Sequence, residues 1–141
     1  MLFVLMTMTM LWQGQAAPMM PMRTLEKGSV SLIDGARQAT ARTADEWAAL
    51  WRQHAPDRPR PSVDFSKEMV VGVFMGSRPT AGFAVEIVGV REEADGVVVQ
   101  YRETRPSRDA MTAQVLTAPY HLVAVPKSAG AVTFEELKSE K

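Results

Sequence analysis

The chain predicts a mainly β domain of the α+β kind, an antiparallel sheet or small β-sandwich carrying one amphipathic helix. Three features predict it. Val97 to Thr104 alternates with period two, setting Val97, Val99 and Tyr101 against Val98, Gln100 and Arg102. Asp95-Gly96 separates that run from a second alternating one, Phe83 to Val90, and both turn residues tolerate the positive φ of a primed hairpin. Only residues 43–54 carry the helical period.

Taken in order, residues 23–42 read as two short extended segments, with Asp34-Gly35 as the tight turn joining them. Thr43-Ala44-Asp45-Glu46 is a capping box, in which a threonine side chain and a glutamate satisfy amides at the helix start. Trp47, Leu50, Trp51 and His54 then share one face, so the two tryptophans are expected in the core. Pro56 and Arg58-Pro59-Arg60-Pro61 end the helix, because proline cannot continue its amide ladder. Met69 to Met75 is apolar except at Gly72 and should be a central strand covered on both faces. It is expected to pair with Phe83–Val90, and that strand with Val97–Thr104. Val115-Leu116 and Tyr120–Val125 read as strands divided by Pro119, and Val132–Phe134 as a short last strand. Residues 23–134 thus form a single domain, and 135–141 are expected to be a flexible tail.

At 141 residues the chain is long enough for one core, and its apolar and charged shares, 46% and 23%, are those of a globular protein. Sixteen basic side chains cancel sixteen acidic ones, which argues against gripping nucleic acid through bulk charge. The absence of cysteine excludes disulfides, thiol catalysis and zinc-thiolate sites. Leu2 to Trp12 is uncharged and the first charge is Arg23, so the run suits a signal-peptide core and is too short to span a bilayer. Gly14-Gln15-Ala16 supplies small residues for cleavage. Residues 1–16 are therefore expected to be a signal peptide, 17–22 a linker, and the product exported to the periplasm or outside the cell.

No catalytic, cofactor-binding or metal-binding residue is expected. His54 stands alone at the helix end, where the dipole favours its charged form, and His121 stands alone in a strand. Glu92-Glu93 precedes the Asp95-Gly96 turn and reads as a solvated hairpin end. The candidate protein-binding loop is Gly76, Ser77, Arg78, Pro79, Thr80, Ala81, Gly82 and Phe83, with Arg105 beside it. Its glycines permit unusual dihedrals, Pro79 stiffens it, and Arg78 and Phe83 are recognition-type side chains. If the connection Gly76–Gly82 and the connection Arg105–Ala110 emerge at one end, that end is basic and loop-rich.

The run from Val63-Asp64-Phe65 through Met69–Met75 and Gly76–Phe83, continued by Thr117-Ala118-Pro119-Tyr120-His121 and Val125-Pro126-Lys127, resembles the PrcB C-terminal domain family. The resemblance covers 63–134 and includes no catalytic residue. It implies a non-catalytic accessory domain that associates with, or stabilises, a secreted protease. Ala81 stands where relatives often have glycine. Pro79-Thr80-Ala81-Gly82-Phe83 is also similar to a loop of chagasin-type protease inhibitors, but Arg78 stands where that motif has asparagine and Ser107 where a second loop has tryptophan. Direct inhibition is the alternative, and binding of an envelope component or glycan a further one. Another protein is the expected partner, with no cofactor, no nucleic acid and no membrane span once the signal is removed.

Overall fold

The computed structural model describes residues 19–138; the expected signal peptide lies outside them. Seven strands and one helix follow in the order β1 (Arg23–Gly28), β2 (Arg37–Ala41), α1 (Ala44–His54), β3 (Glu68–Phe74), β4 (Ala84–Glu93), β5 (Gly96–Thr104), β6 (Tyr120–Pro126) and β7 (Ala131–Leu137). They build two sheets, β1-β6-β3-β2 and β4-β5-β7. The expected β-rich fold with one helix is the fold found, and it has three layers: helix, four-stranded sheet, three-stranded sheet.

This layering explains why β3 is apolar throughout. Val71, Val73 and Met75, with Val123 and Val125 of β6, face Val85, Ile87, Val90, Val97 and Val99 of the second sheet. Val70 and Phe74, with Leu122, face Trp47, Leu50 and Trp51 of the helix. Each of these large apolar side chains gains roughly 1.5–3 kcal/mol on full burial. Gly72 interrupts the run because a Cβ there would lie 2.5 Å from Leu122 Cδ2. Its missing side chain makes room for a neighbour on β6.

The helix starts as its sequence dictates. Thr43 Oγ1 accepts from Glu46 N–H at 3.1 Å, while the Glu46 carboxylate reaches one residue further back, to Arg42 N–H at 3.0 Å. Both tryptophans are core residues, and their indoles do a second task. Trp51 Nε1 donates to the Arg58 carbonyl at 2.8 Å and Trp47 Nε1 to that of Pro61 at 3.0 Å. They hold the proline-rich return against the helix.

Four expectations of pairing and extent are corrected. β1 and β2 are not a hairpin around Asp34-Gly35; they pair with β6 and β3 on opposite edges of the first sheet, and residues 29–36 cross its end. β3 pairs with β6 and β2 rather than β4, because the chain changes sheets at the Gly76–Phe83 connection. Val115-Leu116 is not a strand: among the described residues no strand pairs with it, and both side chains are exposed. Glu135 to Leu137 are not tail residues but extend β7, which runs parallel to β5 with Val97 opposite Val132 and Val99 opposite Phe134. The expected β4–β5 hairpin forms, but its turn is one residue early: Glu93 lies opposite Gly96, Ala94-Asp95 is the tip and neither has positive φ, so the primed turn expected over Asp95-Gly96 is not made. A bulge between Ile87 and Gly89 shifts the phase of β4 by one residue, so that Val90 faces the core after Val85 and Ile87.

Candidate protein-binding end and the buried polar cluster

Three connections meet at one end of the sheets: 29–36, 76–83 and 105–119. The expected loop Gly76–Phe83 is the innermost of them. Gly76 has φ 79°, which a side chain rarely adopts, and a Cβ there would lie 2.7 Å from Ala36 N. Ser77 N–H donates to the Asp34 carbonyl at 2.8 Å. On the other side Arg78 and Thr117 exchange both backbone hydrogen bonds, at 2.7 and 2.9 Å. Thr117 Oγ1 donates to the Thr80 carbonyl at 2.9 Å, and Ala81 N–H to that of Ala113 at 3.0 Å. Gly82, at φ 95°, lies against Pro106. Pro79 is exposed and Phe83 packs at the margin of the inter-sheet core.

The two arginines expected to meet a partner are both engaged. The Arg78 guanidinium sits 5.5 Å from the Phe83 ring centroid, and its Nη2 donates to the Met75 carbonyl at 3.3 Å. It braces the loop from within. Arg105 is exposed and pairs with Glu103 at 3.1 Å. Beside exposed polar residues such as Arg105, Arg108 and Asp109, this end also presents apolar side chains to water: Val30 and Leu32 on the first connection, Met111, Val115 and Leu116 on the third. Met111 is 102% exposed and Leu116 74%. Ala118 N–H donates to the Ser29 carbonyl at 2.7 Å, which brings the Val30 and Leu116 stretches side by side. Sequence reasoning missed these residues by reading Val115-Leu116 as a strand. The available signal was an apolar pair without alternation, enclosed by Pro106 and Pro119.

Beneath the helix, at the same end, lies a cluster that no sequence motif announces. Glu26 of β1 accepts from three donors: His54 Nε2 at 2.9 Å, Arg58 Nη2 at 2.5 Å and the Tyr120 hydroxyl at 2.5 Å. Ser31 Oγ lies 2.7 Å from His54 Nδ1 and accepts from Ile33 N–H at 3.1 Å. Burial raises the Glu26 pKa, but the bonds from Arg58, Tyr120 and His54 outweigh it and bring the carboxyl down to about 2. Burial and the Glu26 carboxylate hold the Tyr120 phenol well above its usual range. Burial also lowers the His54 pKa, against the pull of Glu26. The neutral ring therefore wins over the charged form that the helix dipole alone would favour, which corrects the expectation for His54. With Nε2–H donated to a carboxylate, Nδ1 accepts the serine proton.

Serine, imidazole and carboxylate in this order form the hydrogen-bond chain of a hydrolase relay, but this one is closed on itself. Ser31 and His54 are buried. The shallow depression next to the cluster, about 520 Å³, is lined by Leu32, Ile33, Asp34, Gly35, Ala36, Arg37 and Gln53 and by none of the relay residues. The arrangement ties β1, the 29–36 connection, the helix end and β6 together. His121 performs a similar task between the sheets. Its Nδ1 accepts from Ile87 N–H at 2.9 Å, and its Nε2 lies 3.0 Å from Thr24 Oγ1. Burial, with Lys27 nearby, lowers its pKa to about 4. Among the described residues no group of three or more histidine, aspartate or glutamate side chains could hold a metal ion.

Residues 69–126 match the family model described as PrcB C-terminal. Searches of the curated proteins and of the solved structures gave no match. The PrcB C-terminal segment begins in β3 and ends with β6, so it contains the hairpin, the greater part of the inter-sheet core, and both the Gly76–Phe83 and 105–119 connections. It leaves out β1, β2, α1 and β7, and with them Glu26, Ser31, His54 and Arg58 of the buried cluster. PrcB C-terminal domains are accessory domains of protease-associated subunits, not a known catalytic family. No helix among the described residues is long and apolar enough to cross a membrane.

Proposed function

We propose that this protein is an exported, non-catalytic accessory domain that associates with a secreted protease through its loop-rich end. The observation that carries the reading is the set of apolar side chains, Val30, Leu32, Met111, Val115 and Leu116, held out to water on connections that are hydrogen-bonded to one another. Apolar side chains grouped on braced loops are what a protein interface needs, because contact area is gained with little ordering cost. The PrcB C-terminal match supports a protease as the partner. Export rests on the uncharged run Leu2–Trp12 and the small residues behind it. The closed Ser31–His54–Glu26 chain supports the non-catalytic part of the reading.

Affinity capture from the secreted fraction of the native host tests the proposal. The wild-type protein is expected to recover a protease, and Leu116→Asp to recover it poorly at unchanged thermal stability. Glu92→Ala, at the opposite end, is expected to behave as wild type. Recovery of the protease by Leu116→Asp at wild-type yield would put the interface elsewhere. Recovery of glycan or envelope material instead would replace the protease reading.

A further inference from the structure

We infer that the outer edge of β4 carries a peptide-binding notch for a long, unbranched apolar side chain, and that the chain fills it with its own Met19. Residues Met19–Met22 thereby act as a strap that closes one side of the sandwich.

Gly89 lies inside β4, where a missing side chain forgoes packing and costs backbone entropy. The backbone gives no reason for it, because positive φ is confined among the described glycines to Gly76, Gly82 and Gly96. Space gives one. A Cβ on Gly89 would overlap Met19 Cε. Among the described residues, the only other atom within 4 Å of it, outside the adjoining residues, is Met19 Sδ at 3.8 Å. Gly89 is buried, whereas Met19 is 56% exposed. The methionine covers the notch from the water side.

The segment is also fixed in register. Met20 N–H donates to the Val90 carbonyl at 2.7 Å, and Met19 lies opposite Arg91 as an antiparallel bridge. Successive side chains of an extended segment point to opposite faces. Met20 accordingly packs against the inter-sheet core that holds Val90, while Met19 takes the outer face over Gly89. The two methionines straddle the edge of the sheet. Pro21 follows, which biases Met20 toward extended backbone and offers no amide to prolong the pairing. The chain then enters β1, with Arg23 opposite Ala124 of β6, so the strap runs from the edge of the second sheet straight into the first. Ile87 N–H of β4 is taken by His121 Nδ1 of the first sheet. A strap and a ring, rather than a strand, thus satisfy backbone groups of β4 that would otherwise be open to another chain. A single backbone bond and one seated side chain leave the strap able to open without the rest of the fold.

The test follows the Met20 amide by hydrogen exchange in the full chain, with the thermal midpoint measured beside it. Protection of about tenfold or more over a free amide is expected, and less than that of the amides shared by β4 and β5. Gly89→Ala should remove the protection and lower the midpoint by about 3 °C or more. In a chain already carrying Met19→Ala, the same change should leave the midpoint level or raise it. The notch is then empty, and alanine suits a strand better than glycine. Met19→Val, too short to reach the notch, should lose the protection while the fold stays intact. A Met20 amide that exchanges freely in the unaltered chain overturns the inference. So does a Gly89→Ala loss that is equally large beside Met19→Ala, because Gly89 would then serve the bulge and not a side chain. Unchanged protection in Met19→Val overturns it as well, since the notch would not be reading the side chain.

Discussion

The cluster beneath the helix and the connection from Arg105 to Leu116 lie at the same end of the molecule and use their side chains in opposite ways. In the cluster, serine, histidine, glutamate and tyrosine are turned onto one another and largely withdrawn from water, with the exposed Arg58 closing the outer side. In the connection, methionine, valine and leucine are turned out to it. The residue types associated with chemistry hold the fold, and those associated with cores form the exposed surface. Residue type alone therefore misassigns both regions. What separates them is whether each side chain has a partner within the chain.

The largest way to break this comparison is at Glu26. Replacing it with alanine leaves the Tyr120 hydroxyl and the His54 Nε2–H without their acceptor and removes the Arg58 ion pair. A loss of about 2–4 kcal/mol is expected in urea denaturation. A loss below about 1 kcal/mol would mean that the cluster does not lock the fold. A fluorophosphonate probe is expected not to label Ser31 in the folded protein. Labelling that disappears in Ser31→Ala would make the cluster a chemical site.

Acid should act next. His121 is held at about 4 in the folded chain, below its ordinary value of 6.5. The unfolded chain therefore binds a proton that the folded chain refuses. The stability it contributes is complete above pH 6.5 and is lost as the pH falls toward 4, on the order of 2 kcal/mol once partial solvent screening is allowed for. His54, lowered for the same main reason, adds in the same direction. Glu26 follows at lower pH, its contribution present above 4.5 and lost as the pH falls toward 2. Denaturation midpoints measured between pH 7 and 4 check the first step, and His121→Gln should flatten it. A midpoint that does not move over this window would show that the inter-sheet bond from Ile87 is not under proton control.

A smaller effect sharpens the other side of the comparison. Leu116→Asp should change stability by no more than about 0.5 kcal/mol and weaken protease binding by more than about 1 kcal/mol. The reverse outcome, lost stability with intact binding, would make Leu116 a packing residue. Smallest of all, Glu92→Ala at the hairpin end should move both quantities by less than about 0.5 kcal/mol.

Within the candidate site, legibility follows the range of the interactions. Gly76 and Gly82 are where the loop needs positive φ, as their residue type foretold. Arg78 was legible as a special side chain but not as a brace, because its contacts are set by the backbones of Met75 and Thr117 and by the Phe83 ring. Met111 and Leu116 were illegible as surface residues, since an apolar residue without periodicity fits a core as well as an interface. Ser31, His54 and Tyr120 converge on Glu26 from separations of up to 94 residues, and no spacing rule reaches that far.

By itself the sequence determined the helix with its threonine cap, the doubly covered strand, the alternating hairpin and the final apolar strand. These depend on the 3.6-residue and two-residue periods and on turn residues a few positions apart. Tertiary structure alone decided which strands pair, that the first two strands lie on opposite edges of one sheet, and that the last strand runs parallel in the other. It also decided which charged and polar side chains were consumed internally and which apolar ones were left in water. An alternating strand fits equally well beside several neighbours. Only the simultaneous burial of β3 and β6 between the helix and the second sheet selects one arrangement, and that selection turns the remaining connections toward one end.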